Sequence, residues 1–316
     1  MKGKEKMNKF VIVPDATCDL SKELQERFKI DRIVETEVAC PDGKTVKVND
    51  LWPIDQAKFY QDLKQGKQFK TASPSPELFK EVFLEYVKQG YDVLSVSISS
   101  GLSATFGYAK AAAKELNEQN LPGKVVCFDT LRYSTAELLL LVYASKYRDE
   151  GLDVYKTAEK LEELKLHLHQ AGPMDDLMYL AKAKRLSKGK AVMGTIVGVN
   201  PIGEIGEDGK TSVICKVKGS KKALEVCCEY MKRTIENPED QIVIIANSNR
   251  KEKAELYANM IKEKINPREI IITDVGFACA PNLGPGLCAS YYLGKKLSKD
   301  LVEETAIFAD ITNKKA

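Results

Sequence analysis

The chain has 316 residues, which is too long for one ordinary domain and suits two domains, each with its own core. Hydrophobic residues make up 44% and charged residues 29% of it, the proportions of a soluble globular protein. The formal net charge is +3, from 48 basic and 45 acidic residues. This near balance argues against a nucleic-acid partner and leaves transient contact with an anionic membrane surface open.

We expect neither a targeting segment nor a redox motif. The apolar stretch at residues 10–13 is too short for the core of a signal peptide, and no run spans a bilayer. None of the eight cysteines forms a Cys-x-x-Cys pair, so we predict buried, reduced thiols in a cytoplasmic protein. His167 and His169 are two residues apart and share no helix face, which predicts two surface residues and no metal site.

Strands and helices alternate through the first half of the chain. Apolar runs that stop at turn residues predict strands at residues 10–13, 33–39, 45–48, 92–98 and 124–128. Amphipathic spacing predicts helices at residues 55–66, 76–90, 134–150 and 153–170, and another that carries Phe106, Ala109, Ala113 and Leu116 on one side. This order implies an N-terminal three-layer α/β/α domain, residues 1–172, built on a parallel sheet.

The pattern changes after Gly172 and Pro173, where we place the domain boundary. Residues 191–199 are apolar, and a hairpin is predicted for residues 201–205 and 210–217. Two helix–strand units follow, at residues 221–235 with 242–246 and 251–265 with 269–273, and we predict a last strand at residues 307–311. Residues 173–316 therefore form a two-layer α/β domain with a mixed sheet.

Polar residues follow several predicted strands of the first domain. Ligands of parallel sheets bind at the carboxyl ends of the strands, where Asp15, Asp129 and the segment 99–101 stand. Ser99, Ser100 and Gly101 lead into a helix, whose unpaired N–H groups and two hydroxyls would form a cradle for phosphate or carboxylate. Ordinary helix capping by serine explains the same residues equally well.

Two further polar segments have simpler interpretations. Thr71 and Ser73 lie in a proline-containing loop before the helix that Ser75 caps, which favours a rigid turn with local hydroxyl bonds. Asp15 has no second carboxylate placed beside it, so we favour turn capping over metal binding. Asp19 is expected to cap the following helix.

Several segments share their order and residue types with one known family. Residues 15–20 resemble its Asp-Ser-x-x-Asp-Leu motif, and residues 71–74 resemble its Thr-Ser-x-Pro loop with Ala72 intervening. Residues 99–106 resemble its Ser-Ser-Gly-Leu-Ser-Gly-Thr-Tyr signature, with Ala104 and Phe106 differing, and residues 284–286 resemble its Gly-Pro-Gly. Residues 179–186 and 200–210 are also similar to family segments. Over nearly its whole length the chain resembles the DegV family of fatty-acid-binding proteins.

The resemblance implies a non-enzymatic carrier without a cofactor. A long-chain fatty acid would lie in a tunnel between the two domains and be presented to a separate fatty acid kinase subunit, which makes the acyl phosphate. The residues at the family's carboxylate-binding positions are Thr71, Ser99, Ser100, Arg185 and Asn282. A solvated place in the basic run 182–185 is a serious alternative for Arg185.

The chain departs from the family pattern at Asn282, at Ala183 and Lys184, where glycines are usual, and at residues 135–137, which replace a glycine pair. Asn282 stands where the family usually has histidine; its amide donates a hydrogen bond but is never cationic. The alternatives to a carrier are a phosphate-handling enzyme or a regulatory module that binds another small anion at residues 99–101. No GxxxxGK[ST] loop supports the enzyme.

Overall fold

The computed structural model describes residues 9–187 and 198–313. The strands, in chain order, are β1 (Phe10–Pro14), β2 (Thr36–Ala39), β3 (Thr45–Val48), β4 (Lys70–Ala72), β5 (Asp92–Ser97), β6 (Val125–Asp129), β7 (Leu168–Ala171), β8 (Val199–Ile205), β9 (Thr211–Lys218), β10 (Ile242–Asn247), β11 (Glu269–Asp274) and β12 (Cys288–Leu293). The helices are α1 (Lys22–Arg27), α2 (Gln56–Lys64), α3 (Pro76–Val87), α4 (Thr105–Asn117), α5 (Thr135–Asp149), α6 (Val154–Leu164), α7 (Met178–Lys182), α8 (Ser220–Thr234), α9 (Lys251–Lys264), α10 (Ala280–Leu283) and α11 (Val302–Asn313). Turns of 3₁₀ helix lie at Lys165–His167, Pro238–Asp240 and Lys299–Leu301.

The first half is built on a parallel sheet with the strand order β1–β5–β6. Successive side chains of a strand face opposite ways, and here both faces are apolar. Val11 and Val13 pack with α3 and α4, whereas Ile12 packs on the side of α5. Helices therefore cover both faces, which confirms the predicted α/β/α arrangement. A smaller antiparallel sheet, β3–β2–β4, accompanies it.

The second half contains the predicted mixed sheet, with the order β11–β10–β12–β7. β10 and β11 are parallel, and β12 runs antiparallel to both β10 and β7. Val243 and Ile245 face a core that α8, α9 and α11 complete through Leu224, Tyr257 and Phe308. The hairpin of β8 and β9 is also confirmed.

Helix α5 lies between the two sheets. Its segment Leu138, Leu139, Leu140 and Leu141 is fully buried, as expected of a helix that is apolar on all sides. α5 contacts β1 and β5 of the first sheet and β10 and β12 of the second. The two halves of the chain therefore share one continuous core, and α5 fixes one sheet relative to the other.

Two of the predicted elements are wrong. The helix expected through residue 170 ends at Leu164, and Leu168–Ala171 forms strand β7, because it pairs with β12. Strand β7 belongs to the second sheet but precedes the domain boundary expected at residues 172–173. That boundary stays a prediction. The strand expected at residues 307–311 belongs to helix α11, since Phe308 and Ile311 lie three residues apart on its buried face.

The histidine prediction is wrong for one residue. His169 is 1% exposed, because β7 carries it into the core, where its ring stacks on Tyr292. Nδ1 lies 3.0 Å from the Tyr230 hydroxyl and Nε2 lies 2.7 Å from the Lys295 carbonyl oxygen. The other histidine, His167, is half-buried.

Three other predictions concern single segments. Ser75 caps α3 as expected, accepting from the Leu78 N–H at 3.2 Å. The apolar stretch 191–199 lies mostly outside the described residues. Within the described residues, no helix is both long enough and apolar enough to cross a bilayer.

Candidate functional site

A small cavity lies where the parallel sheet meets segments from the second half of the chain. Its volume is about 80 Å³. The lining comes from the end of β1, from residues 71–74, from the loop after β5, and from α10 with the segment before it. The other lining residues are Thr36 of β2, Thr105 of α4, Tyr133, Leu180 of α7 and Arg185. The volume suits a head group, since sites that enclose a whole small-molecule ligand measure about 300–1,000 Å³.

Three of the five sequence-predicted site residues meet in this cavity. Thr71, Arg185 and Asn282 all line it, although they lie far apart in sequence. The Asn282 amide Nδ2 donates to Thr71 Oγ1 at 3.2 Å, which joins α10 to β4. A hydroxyl, an amide and a guanidinium therefore line the same cavity.

Arg185 brings the positive charge. Its side chain is half-buried, and burial lowers the pKa of the guanidinium, which nevertheless stays protonated. Among residues 9–187 and 198–313, no carboxylate lies within ion-pair distance of it. A half-buried cation that faces a cavity without an anionic partner favours an anionic ligand.

Ser99 and Ser100 lie elsewhere. Neither lines the cavity: Ser99 is fully buried and Ser100 is exposed. Ser99 Oγ accepts from the Gly101 N–H at 3.1 Å, and Asp129 Oδ1 accepts from the Ser100 N–H at 3.2 Å. The N–H of Ser99 donates to the Arg132 carbonyl. The backbone donors of the predicted cradle are thus already used within the protein.

The turn of the β8–β9 hairpin packs against the same segment. A side chain at Gly101 would collide with the Asp208 carbonyl oxygen, and one at Gly209 would collide with Ser99 Oγ. These close approaches require glycine at both positions. Residues 99–101 therefore form a contact between the two halves of the chain.

Three hydroxyls at the cavity were missed by the sequence analysis as site residues. Ser73 Oγ lies 3.0 Å from Ser103 Oγ, which lies 2.8 Å from Thr105 Oγ1. The N–H groups of Leu102 and Ser103 both donate to the Ser99 carbonyl, and this tight turn brings Ser103 back to the cavity. Of the three hydroxyls, that of Ser103 alone could have been anticipated, because Ser103 lies in the serine-rich segment singled out from the sequence.

An acidic pair lies beside the cavity. Asp15, in the lining, accepts at Oδ1 from the Thr17 N–H at 2.9 Å, which confirms the predicted turn cap. Thr17 Oγ1 lies 2.5 Å from Asp15 Oδ1 and 2.9 Å from Glu137 Oε2. Burial raises the pKa of both carboxyls, that of Glu137 well above its usual range, and the nearby Asp15 carboxylate raises the pKa of Glu137 further.

Asp19 does not cap helix α1. Ser21 is the cap, and its Oγ accepts from the Leu24 N–H. Asp19 is buried and accepts from the Gly276 N–H at 2.8 Å, from Thr135 Oγ1 at 2.8 Å, and from Ser134. Burial raises the pKa of Asp19 to about 6. Its three donors come from both halves of the chain, which explains why a local capping rule failed.

The described residues contain no group of three or more His, Cys, Asp or Glu side chains placed to hold a metal ion.

The family model described as "Uncharacterised protein, DegV family" matches residues 9–295. The chain belongs to the DegV family. A DegV domain-containing protein of Clostridium perfringens is 29% identical over 91% of this chain and 98% of its own length.

Solved DegV structures share the fold. A DegV lipid-binding protein from Thermotoga maritima has a TM-score of 0.77 at 26% identity, and the match covers 91% of this chain and 99% of that one. The hypothetical protein TM841 from the same organism, described as revealing a fatty-acid-binding function, has a TM-score of 0.75 at 26% identity, with 90% and 99% covered. Both confirm a DegV-type α/β fold with a parallel and a mixed sheet.

Proposed function

We propose that this DegV protein is a cytoplasmic, non-enzymatic carrier that holds one long-chain fatty acid by its carboxylate and presents it to a separate fatty acid kinase. The observation that carries the proposal is the half-buried guanidinium of Arg185, which faces the cavity without an ion-pair partner among the described residues. The fatty-acid-binding function described for the related TM841 protein supports the choice of ligand.

The head group needs several donors, because a carboxylate removed from water is costly unless it is hydrogen-bonded. Arg185 supplies charge-assisted donors and the Asn282 amide supplies another. The hydroxyls of Thr71, Ser73 and Ser103 complete the set. In this proposal Ser99 stabilises the fold and does not contact the carboxylate, because its hydroxyl does not line the cavity.

The acyl chain provides most of the apolar driving force. Ile98, Leu102, Leu180 and Leu283 line the cavity beside the polar groups, and the chain leaves the head-group site along this apolar side. Each buried CH₂ contributes about 0.8 kcal/mol, so a chain of roughly sixteen carbons outweighs the cost of ordering it. The bound acid is collected from, or delivered to, a membrane surface through transient contact.

The rival functions are a phosphate-handling enzyme and a module for another small anion. Both functions would need free backbone N–H donors at residues 99–101 to bind their anion. Those N–H groups are engaged by Arg132, Asp129 and Ser99, which favours the carrier. We expect no nucleotide site and no ATP turnover by the protein alone.

Native mass spectrometry of the purified protein, before and after delipidation, tests the proposal. We expect a co-purified long-chain acid, stoichiometric uptake of palmitate by the stripped protein, and no ATP consumption until a fatty acid kinase is added. A protein that neither carries nor takes up any fatty acid contradicts the carrier. A bound nucleotide or phosphorylated metabolite instead supports the rivals.

A further inference from the structure

We propose that the cavity takes up one proton when the head group binds, and that a hydrogen-bond chain of Asp15, Thr17 and Glu137 holds this proton. The inference rests on the proposed function and deepens it, because it states how a buried site accommodates the charge of the ligand. The proton comes from the solvent, so the carboxylate and the proton enter the site together as a neutral pair.

The hydrogen-bond chain leads from the cavity wall into the core. Thr17 Oγ1 lies 2.5 Å from Asp15 Oδ1 and 2.9 Å from Glu137 Oε2. Asp15 and Thr17 line the cavity, whereas Glu137 is fully buried in α5 behind them. A change of charge in the cavity is therefore felt by two carboxyl groups that one hydroxyl connects.

The chain already holds one proton before the ligand binds. Thr17 Oγ1 carries one hydrogen and contacts two carboxyl oxygens, so one of these carboxyls must be a donor. Asp15 accepts from the N–H groups of Thr17 and Ile98, both at 2.9 Å, and such donors stabilise the charged form. We therefore place this first proton on Glu137 and the negative charge of the chain on Asp15.

The other charged and titratable groups around the chain supply no compensating cation. They are Cys18 and Asp19 after β1, Asp129 at the end of β6, and Tyr133 and Cys279 in or beside the cavity wall. Burial raises the pKa of both thiols, which stay neutral. Among the residues that line the described cavity, Arg185 is the cation, and the head group occupies it in the proposed function.

Binding of an anion shifts the balance at Asp15. Burial already raises the pKa of Asp15, and a second negative charge in a cavity of about 80 Å³ raises it further, because like charges repel strongly where water is excluded. Protonated Asp15 then donates to Thr17 Oγ1, and Thr17 donates to Glu137. The hydrogen of Glu137 turns to the side of Oε1, which has no hydrogen-bond partner among the described residues.

Calorimetry in buffers of different ionisation enthalpy counts the protons. Delipidated protein is titrated with laurate at pH 7.5 in phosphate, HEPES and Tris, and the binding enthalpy is plotted against the ionisation enthalpy of the buffer. We expect a slope of about one proton taken up per laurate. The affinity should accordingly rise by up to about tenfold for each unit by which the pH falls.

The position of the proton is measured on the ligand itself. Laurate labelled with ¹³C at its carboxyl group reports its own ionisation in the complex through its chemical shift. We expect the bound laurate to show the shift of an ionised carboxylate. The shift of a protonated acid would place the proton on the ligand and overturn the proposal.

Asp15→Asn tests the residue directly, because the amide keeps the size of the side chain but takes up no proton. We expect the folded variant to bind laurate with a slope near zero. Asp42→Asn is the matched control, because Asp42 is exposed in the turn between β2 and β3, and it should keep the wild-type slope. Circular dichroism checks that each variant folds.

Each outcome decides the matter. Wild-type binding whose enthalpy does not depend on the buffer overturns the proposal, and so does a slope that persists in folded Asp15→Asn. If that variant does not fold, the wild-type slope and the ¹³C shift together decide, because they separate a proton on the protein from one on the ligand. Failure of the proposed function is visible separately, as the absence of laurate binding to the wild type.

Discussion

The Asn282 amide donates a hydrogen bond of 3.2 Å to the hydroxyl of Thr71, from a helix in the second half of the chain to a strand in the first. This contact spans the cavity wall and joins residues 211 positions apart. Asn282 also stands where the resemblance to the family led us to expect histidine. Its amide keeps a donor at this position but brings no charge that depends on pH.

Asn282→His is expected to bind fatty acid at pH 8 about as well as the wild type. An imidazole has an ordinary pKa of about 6.5, so the variant gains a cation as the pH falls below it. Attraction of the carboxylate then raises its affinity by about tenfold between pH 8 and pH 6. Isotherms of both proteins across this range check the prediction, and parallel curves for the two contradict it.

Arg185→Gln should weaken fatty-acid binding by about ten- to a hundredfold, the cost of losing charge-assisted bonds to a buried carboxylate. Stability should change little, because the guanidinium forms no ion pair among the described residues. Lys182→Gln, in the same basic run but exposed, is the matched control and should bind normally. Competition isotherms and thermal unfolding measure the two effects, and normal binding by Arg185→Gln would place the carboxylate elsewhere.

The sheets could be predicted from the sequence because their strands are apolar runs that stop at turn residues. Asp92–Ser97 and Ile242–Asn247 are buried at every position, the pattern of strands covered on both faces. The apolar run at residues 307–311 shows the limit of this rule, since a short run fits a strand or a buried helix face equally well. Strand β12 was missed, although all but one of its residues are buried.

The site was harder to predict than the fold. Thr71, Arg185 and Asn282 come from three distant segments, and only the family resemblance suggested that they meet. The sequence singled out the serine segment, but a tight turn after Ser99 decides which hydroxyl reaches the cavity. Local spacing does not determine this turn, because the hairpin around Gly209 packs against it from the other half of the chain.

Ser103→Ala and Ser99→Ala should therefore differ. Ser103→Ala removes a hydroxyl from the cavity and is expected to reduce fatty-acid affinity by about tenfold while the fold stays intact. Ser99→Ala removes the acceptor of the Gly101 N–H and should lower the free energy of unfolding by about 1–3 kcal/mol. Isotherms and urea denaturation on both variants check this. The reverse pattern would return Ser99 to the carboxylate site, as the sequence predicts.

His169 should make the protein less stable in acid. Burial lowers the pKa of His169 to about 4, below the ordinary value of about 6.5 that it has in the unfolded chain. The unfolded state therefore takes up a proton between pH 6.5 and pH 4 that the folded state refuses, and the free energy of unfolding falls by about 3 kcal/mol as the pH drops through this window.

Asp19 acts in the opposite direction over part of the same range. Its pKa is raised to about 6 in the folded protein, so the folded state binds a proton more tightly and gains stability as the pH falls from 6 towards 4. The wild-type slope mixes these two groups with other buried carboxyls, such as Glu204, whose pKa burial raises to about 8. His169→Gln removes one of them, keeps a hydrogen-bonding side chain between Tyr230 and Lys295, and isolates the histidine by difference. Urea denaturation of both proteins at pH 7, 6, 5 and 4 should show a smaller acid loss in the variant, and identical slopes would mean that His169 binds its proton equally well in the folded and the unfolded protein.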